Sequence, residues 1–156
     1  MTSPKSQSRS APSSVSATTI VSSLLTVQTS GRGFTDLTAE VGKFVKDAGA
    51  KEGAVTLFIR HTSASLTIQE NADPTVLADL TTALDRLAPE DAGWRHDTEG
   101  PDDMPAHVKT MLTATSLQIP VLNGELALGT WQAVYLIEHR RRPHRREIVL
   151  QFVGSA

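Results

Sequence analysis

The C-terminal part of the chain constrains the fold most, because it places three strand-like segments in a row with short connections. These segments lie near 116–122, 131–139 and 145–153. The first is followed by Asn123-Gly124, the dipeptide that most strongly indicates a two-residue hairpin turn. Segments joined so closely pair antiparallel, which favours an α+β fold over a doubly wound parallel sheet.

Three more strand-like segments precede them. Residues 18–28 are rich in β-branched side chains, and residues 64–69 alternate apolar with polar side chains. Residues 54–60 are apolar enough to predict a strand that is buried on both faces. Gly31 and Gly33 indicate a turn after the first of these segments. We therefore predict mainly antiparallel β-sheets.

The intervening segments have the features of helices. The first should run from about 36 to 48, and a shorter one from about 103 to 113. Between them, Asp73-Pro74 is a strong helix start, since an acidic cap precedes a proline at the first helical position. This central helix carries an apolar stripe that we expect to be buried, formed by Leu77, Leu80, Leu84 and Leu87. The predicted fold class is α+β, with two to three helices in one domain.

Composition narrows the class of protein. The length of 156 residues suits a single domain. Residues 1–16 are rich in serine and poor in large apolar side chains, so we predict a disordered tail there and a folded domain over 17–154. The net charge of −2 argues against a general nucleic-acid binder. No apolar run reaches the length of a membrane span, and we expect a cytoplasmic protein.

The densest polar segment is 95–107. Since the chain has no cysteine, any metal must be held by histidine or carboxylate side chains. The segment offers several of these, namely His96, Asp97, Glu99, Asp102, Asp103 and His107. Asp102 or Asp103 could instead cap the helix that follows. The remaining groups exceed what a cap needs, so the segment predicts a metal or small-molecule site.

Two further segments bring polar side chains to the ends of strands. In the first, Arg60 and His61 precede the hydroxyl side chains of Thr62, Ser63 and Ser65, which are suited to a phosphate or a substrate amine.

The second segment is Glu70-Asn71-Ala72-Asp73, at the start of the central helix. Asp73 is suited to a cap, whereas Glu70 and Asn71 have no such structural role and are better candidates for a site.

The last motif joins an aromatic strand to an arginine-rich turn. Trp131, Tyr135 and His139 share one strand face, where Trp131 could stack on a heterocycle or belong to the core. Arg140 begins a run of arginines that could bind an anion or could simply form a solvent-exposed hairpin turn. RNA would also fit arginines, but the negative net charge makes a phosphate ligand the better prediction.

Together, these segments resemble the YjbQ family, often labelled secondary thiamine-phosphate synthase. The resemblance covers about residues 18–153 and rests on RHTSASLTIQENADP, RHDTEGPDDMPAH, LNGELALGTWQAVYLIEHR and RPHRR. It implies a trimeric α+β domain whose site lies near subunit boundaries. It also implies a transferase that joins a hydroxymethylpyrimidine pyrophosphate to a thiazole phosphate and releases pyrophosphate.

Motifs and resemblance together predict three groups of site residues. The catalytic group comprises His61, Glu70, Asn71 and Asp73. The phosphate- or substrate-binding group comprises Arg60, Thr62, Ser63, Ser65, Trp131 and Arg140. The metal group comprises His96, His107 and His139, and would hold a divalent ion such as zinc or magnesium. The alternatives are a metal-dependent phosphoester hydrolase and a non-enzymatic trimer that binds a metal or metabolite.

Overall fold

The computed structural model describes residues 6–156 and combines three helices with two antiparallel sheets. The helices are α1 (Thr38–Asp47), α2 (Pro74–Leu87) and α3 (Asp103–Leu112). The strands are β1 (Thr19–Gln28), β2 (Gly33–Asp36), β3 (Glu52–Ile59), β4 (Ala64–Glu70), β5 (Ser116–Leu122), β6 (Glu125–Leu126), β7 (Gln132–Glu138) and β8 (Arg145–Ser155). The predicted α+β class with antiparallel sheets is confirmed.

The larger sheet has the strand order β1-β8-β3-β5-β6, and the smaller one has the order β2-β7-β4. The predicted Asn123-Gly124 turn joins β5 to β6, and both residues have the positive φ that such a turn requires, 51° and 80°. The sequence pattern missed β2 and β6. They have four and two residues, which is too short for alternation to be recognised.

The main core lies between the two sheets and α1. Val41, Phe44 and Val45 of α1 pack with the inward side chains of both sheets, including Leu57 and Leu136. Because β7 is covered on both sides, six consecutive residues, from Ala133 to Glu138, are buried. Its alternation places Glu138 on the same face as Leu136 and turns His139 to the opposite face.

Two predictions of burial were wrong. Phe58 of β3 is 49% exposed, because the outer face of the larger sheet remains open to solvent at this position. The leucine stripe of α2 is only partly covered: Leu77, Leu80 and Leu84 are half-buried and Leu87 is 64% exposed. The cap at the start of α2 was correctly predicted, since the carboxylate of Asp73 accepts a hydrogen bond from the backbone N–H of Thr75.

The N-terminal segment precedes the sheets. Residues 6–18 are exposed and adopt neither helix nor strand. A disordered tail over 1–16 stays a prediction, and its first five residues lie outside the described part of the chain. Within residues 6–156, no helix is long and apolar enough to cross a membrane.

Candidate functional site

Two histidines and one aspartate converge at the start of α3. The Nε2 atom of His96 lies 2.7 Å from Oδ2 of Asp103, and Nε2 of His107 lies 3.3 Å from the same oxygen. One ligand atom from each of the three side chains falls within 4.8 Å of the others. These residues form a candidate metal site, which we call the metal cluster. The histidines reach solvent, with side chains 46% and 32% exposed, whereas the aspartate is buried.

The chemistry of this donor set fits a divalent metal. The ring of His107 donates a hydrogen bond from Nδ1 to the carbonyl oxygen of Thr62 at 2.8 Å. In a neutral ring, that bond places the proton on Nδ1 and leaves a lone pair on Nε2, which is the arrangement that metal-ligating histidines usually adopt. Two imidazoles and one carboxylate suit zinc or a similar transition metal better than magnesium, which prefers oxygen ligands.

Arg140 fixes the acidic side of the cluster. Its guanidinium bonds to Oδ1 of Asp103, to Oδ2 of Asp102 at 3.2 Å and to the carbonyl oxygen of Glu99 at 2.8 Å. The Asp102 carboxylate also accepts the backbone N–H of Arg141 at 2.8 Å. Asp102 occupies the N-cap position of α3, but its side chain makes no capping hydrogen bond, because Arg140 and Arg141 engage the carboxylate.

A polar cavity of about 510 Å³ opens beside the metal cluster. Its walls are Thr98, Glu99, Gly100, Pro101, Asp102, Arg140, Arg141 and Arg142. We call it the arginine cavity. Because Arg140 bonds to Asp103 and also lines this cavity, the two features are adjacent.

His139, predicted as a metal ligand, lies elsewhere. Its ring is buried, and its Nε2 atom hydrogen-bonds with the hydroxyl of Ser65 at 2.8 Å. Ser65 also hydrogen-bonds with Thr113 at 2.7 Å. Burial, together with the charge of Lys109, lowers the pKa of His139 to about 3, so the ring is neutral. This geometry does not support metal binding by His139 or a substrate contact by Ser65, because both are enclosed and already hydrogen-bonded.

A buried ion pair lies on the other face of β7. Arg146 donates to Glu138 from Nε at 2.8 Å and also from Nη2, and it reaches the hydroxyl of Ser63 at 3.0 Å. Burial alone would raise the pKa of Glu138, but hydrogen bonds from Arg146 and Thr29 outweigh it and hold the pKa below its usual value. Two buried pairs, Glu138 with Arg146 on one face of β7 and His139 with Ser65 on the other, are together called the buried network.

The remaining predicted site residues divide between two ends of the smaller sheet. His61 and Thr62 lie near Ser63, at the end where β4 begins. Glu70 and Asn71 lie at the other end of β4, about 20 Å away for a seven-residue strand.

At that far end, Asn71 donates from its backbone N–H to the carbonyl oxygen of Trp131 at 3.1 Å. Trp131 is 64% exposed, so the core alternative for its side chain is wrong. Asp73 caps α2 here, and hydrogen bonds from Thr75 lower its pKa. Within one chain, this group therefore lies apart from the metal cluster.

Asp103 is the residue whose importance the sequence understated. The sequence offered it only as one of several acids of the segment or as a helix cap, yet it supplies the carboxylate of the metal cluster. The available pattern was its spacing of four residues from His107, which places both side chains on one helix face. Glu138 also had a recognisable pattern, as an acid next to an apolar strand run.

A family model described as UPF0047 protein YjbQ-like matches residues 23–155. The chain belongs to the YjbQ-like UPF0047 family. UPF0047 protein sll1880 of Synechocystis is 51% identical over 133 residues, which cover 85% of this chain and 90% of that relative. UPF0047 protein YjbQ of Salmonella typhimurium is 41% identical over 132 residues, covering 84% and 96% of the two chains.

A solved structure supports the fold as well as the family. A crystallised YjbQ/UPF0047-family protein from Clostridium acetobutylicum aligns with a TM-score of 0.77 and 37% sequence identity. The alignment covers 83% of this chain and 98% of that protein. The family resemblance read from the sequence motifs is thereby confirmed.

Proposed function

We propose that this YjbQ-family chain is a metal-dependent transferase that joins a hydroxymethylpyrimidine pyrophosphate to a thiazole phosphate and releases pyrophosphate. The observation that carries the proposal is the position of the metal cluster directly beside the arginine cavity, with Arg140 shared by both. An electrophile that loses pyrophosphate needs positive charge where the leaving group departs. A metal held by the cluster and the arginines of the cavity would supply that charge side by side.

The bond changes balance without an additional reactant. The bond between the pyrimidinylmethyl carbon and the pyrophosphate oxygen breaks, and its electron pair leaves with the oxygen. The lone pair of the thiazole nitrogen forms the new carbon–nitrogen bond. A divalent metal would stabilise the negative charge that develops on the departing oxygen.

The residues of the chain supply position and charge. His96, Asp103 and His107 would hold the metal, and the bond from His107 to Thr62 orients its ring for that task. Arg140 keeps Asp103 in place, while Arg142 at the cavity wall offers a cation to the leaving anion. Two imidazole ligands favour zinc over magnesium as the metal.

The test is to measure thiamine phosphate formed from both half-substrates by protein purified without a histidine tag. We expect zinc to co-purify in a stoichiometric amount, and we expect His107→Ala to lower both zinc content and product formation at least tenfold. His144→Ala is the matched control, because that histidine lies outside the metal cluster. Equal activity in His107→Ala and wild type would contradict the proposal.

The exposure of His96 and His107 favours a second function, a metal-dependent phosphoester hydrolase. Water can reach both rings, and a metal at this position could activate it for attack on a phosphoester. Zinc-dependent hydrolysis of p-nitrophenyl phosphate, without formation of thiamine phosphate, would favour this function. Zinc binding with neither activity would favour a non-enzymatic metal-binding protein.

We also propose that the protein is a homotrimer, as the resemblance implies, and that it is cytoplasmic, as its composition indicates. Leu87 and Leu112 support an assembly, because they remain exposed beside the half-buried Leu80 and Leu84 in one apolar groove. The absence of cysteine supports a reducing compartment. Light scattering should give a mass three times that of the chain, whereas a monomer at micromolar concentration would contradict the trimer.

A further inference from the structure

A second cavity, with a mixed apolar and polar lining, lies at the end of the larger sheet, where β3 leads into β4. Its volume is about 500 Å³, and it shares no lining residue with the arginine cavity among residues 6–156. Its walls are Phe58, Ile59, Arg60, His61, Thr62, Ser63, Thr115 and Arg146. We call it the His61 cavity. The metal cluster and the transfer reaction do not account for it.

The backbone of β8 fixes the tautomer of His61. The N–H of Glu147 donates to Nε2 of His61 at 2.8 Å, so this nitrogen must present a lone pair. A neutral ring therefore carries its proton on Nδ1. Burial lowers the pKa of His61, and the charge of Arg146 lowers it further, which keeps the ring neutral near pH 7.

Arg146 places another donor beside this proton. Its Nε and Nη2 atoms are occupied by Glu138 and Ser63. The Nη1 atom of Arg146 lies 3.5 Å from Nδ1 of His61. That contact cannot be a good hydrogen bond, because both nitrogens carry protons in this tautomer. Two N–H donors thus lie side by side at the wall of the His61 cavity.

We propose that the His61 cavity binds an oxyanion, a phosphate or a carboxylate group, whose oxygen bridges Nδ1 of His61 and Nη1 of Arg146. One acceptor oxygen would satisfy both donors and would place negative charge next to a buried guanidinium. Arg60 is exposed at the same cavity and offers a further cation. The site requires neither the metal cluster nor the transfer reaction.

The remaining walls indicate what carries the oxyanion. The half-exposed ring of Phe58 is an apolar surface on which a planar ring can pack. Thr62 and Thr115 add hydroxyl groups that can donate or accept hydrogen bonds. The neighbouring acids do not repel such a ligand strongly, because Glu138 is paired with Arg146 and Glu147 with Arg145. The ligand class is therefore an aromatic or heteroaromatic phosphate or carboxylate.

The test measures binding of phenyl phosphate and of benzoate to the full-length protein by calorimetry. We expect saturable binding of at least one probe, and the tighter probe identifies the oxyanion. His61→Gln should weaken that binding at least tenfold, because the amide can still accept the Glu147 N–H but lacks a donor at the Nδ1 position. Arg60→Gln should weaken it several-fold, whereas the matched exposed control Arg86→Gln should bind as the wild type does.

A second measurement keeps the proposal testable should His61→Gln fail to fold. In ¹⁵N-resolved NMR of the wild type, His61 should show a protonated Nδ1, and this resonance should shift on addition of the bound probe. The proposal is overturned if the ring is protonated on Nε2. It is overturned equally if neither probe binds at millimolar concentration, or if a folded His61→Gln binds as tightly as the wild type.

Discussion

The metal cluster and the buried network contain the same kinds of side chain but differ in exposure and in hydrogen bonding. Each combines histidine, a carboxylate and an arginine: Arg140 beside Asp103 in one, and Arg146 beside Glu138 in the other. In the cluster, both rings reach solvent and His107 keeps a free lone pair. In the network, His139 is buried and its Nε2 atom is bonded to Ser65. Exposure and unused bonding capacity, rather than residue type, therefore make the cluster the better candidate for a ligand site.

The largest effect on stability is expected when the buried ion pair between Glu138 and Arg146 is broken. Glu138→Ala should lower the free energy of unfolding by about 3–5 kcal/mol, because it leaves the charge of Arg146 buried and unpaired. Urea denaturation measures the change. Glu147→Ala is the matched control, since its partners Arg60 and Arg145 are exposed, and its effect should be much smaller. Equal losses in the two variants would remove the distinction between the buried pair and the surface pair.

The next effect tests whether the cluster is a metal site. Asp103→Asn should weaken zinc binding by about two orders of magnitude, because it removes the one charged ligand. Competition with a chromophoric chelator measures this affinity. Asp102→Asn is the neighbouring control and should weaken binding less, since Asp102 contacts Arg140 and Arg141 rather than the histidines. Unchanged zinc affinity in Asp103→Asn would place the metal elsewhere.

A third prediction separates the two kinds of histidine by pH. The pKa of His139 falls from 6.5 to about 3 on folding. Below pH 6.5, the ring is therefore protonated in the unfolded chain but stays neutral in the native protein. Stability should therefore fall as pH falls through this window, by about 1.4 kcal/mol per pH unit from His139 alone. His139→Gln should have a shallower dependence between pH 6.5 and 5 in urea denaturation. Parallel curves for variant and wild type would show that His139 does not titrate in this way.

The smallest expected effect on stability concerns the surface ion pair between Arg141 and Glu90. Arg141 pairs with Glu90 at 2.5 Å on the surface, and its side chain is mostly exposed. Arg141→Ala should change the free energy of unfolding by less than about 1 kcal/mol. Arg140→Ala should cost more, because that guanidinium is largely buried between Asp102 and Asp103. Thermal unfolding of the two variants compares them, and a larger loss for Arg141→Ala would reverse the expected order.

Much of the fold followed from local patterns. The Asp73-Pro74 cap, the Asn123-Gly124 turn and the long strands were all predictable, because each depends on neighbouring residues. Two errors arose where burial depends on distant elements. Phe58 lies on a sheet face that is open to solvent. Leu87, at the end of α2, is exposed because the rest of the chain does not pack over it. Neither fact is encoded in the periodicity of its own segment.

The candidate site was predicted less completely, for a similar reason. His96 and His107 lie close together in the structure, as their short separation in sequence indicated. His139 was grouped with them by residue type, but the alternation of β7 turns it into the interior. Glu70 and Asn71 were joined to the same site, although β4 separates them from it by its full length.

The sequence by itself determined the helices and the long strands, the family and the polar segments from which a site can be built. It did so because hydrogen-bonding turns, caps and apolar periodicity act over a few residues. Tertiary structure decided the surroundings of each histidine. His107 can present a lone pair to a ligand, His139 is buried, and His61 faces a second N–H donor. Those properties depend on contacts such as Thr62 with His107 and Glu147 with His61, which join residues 45 and 86 positions apart. Only packing brings such pairs together, and packing therefore selects the chemistry available at each ring.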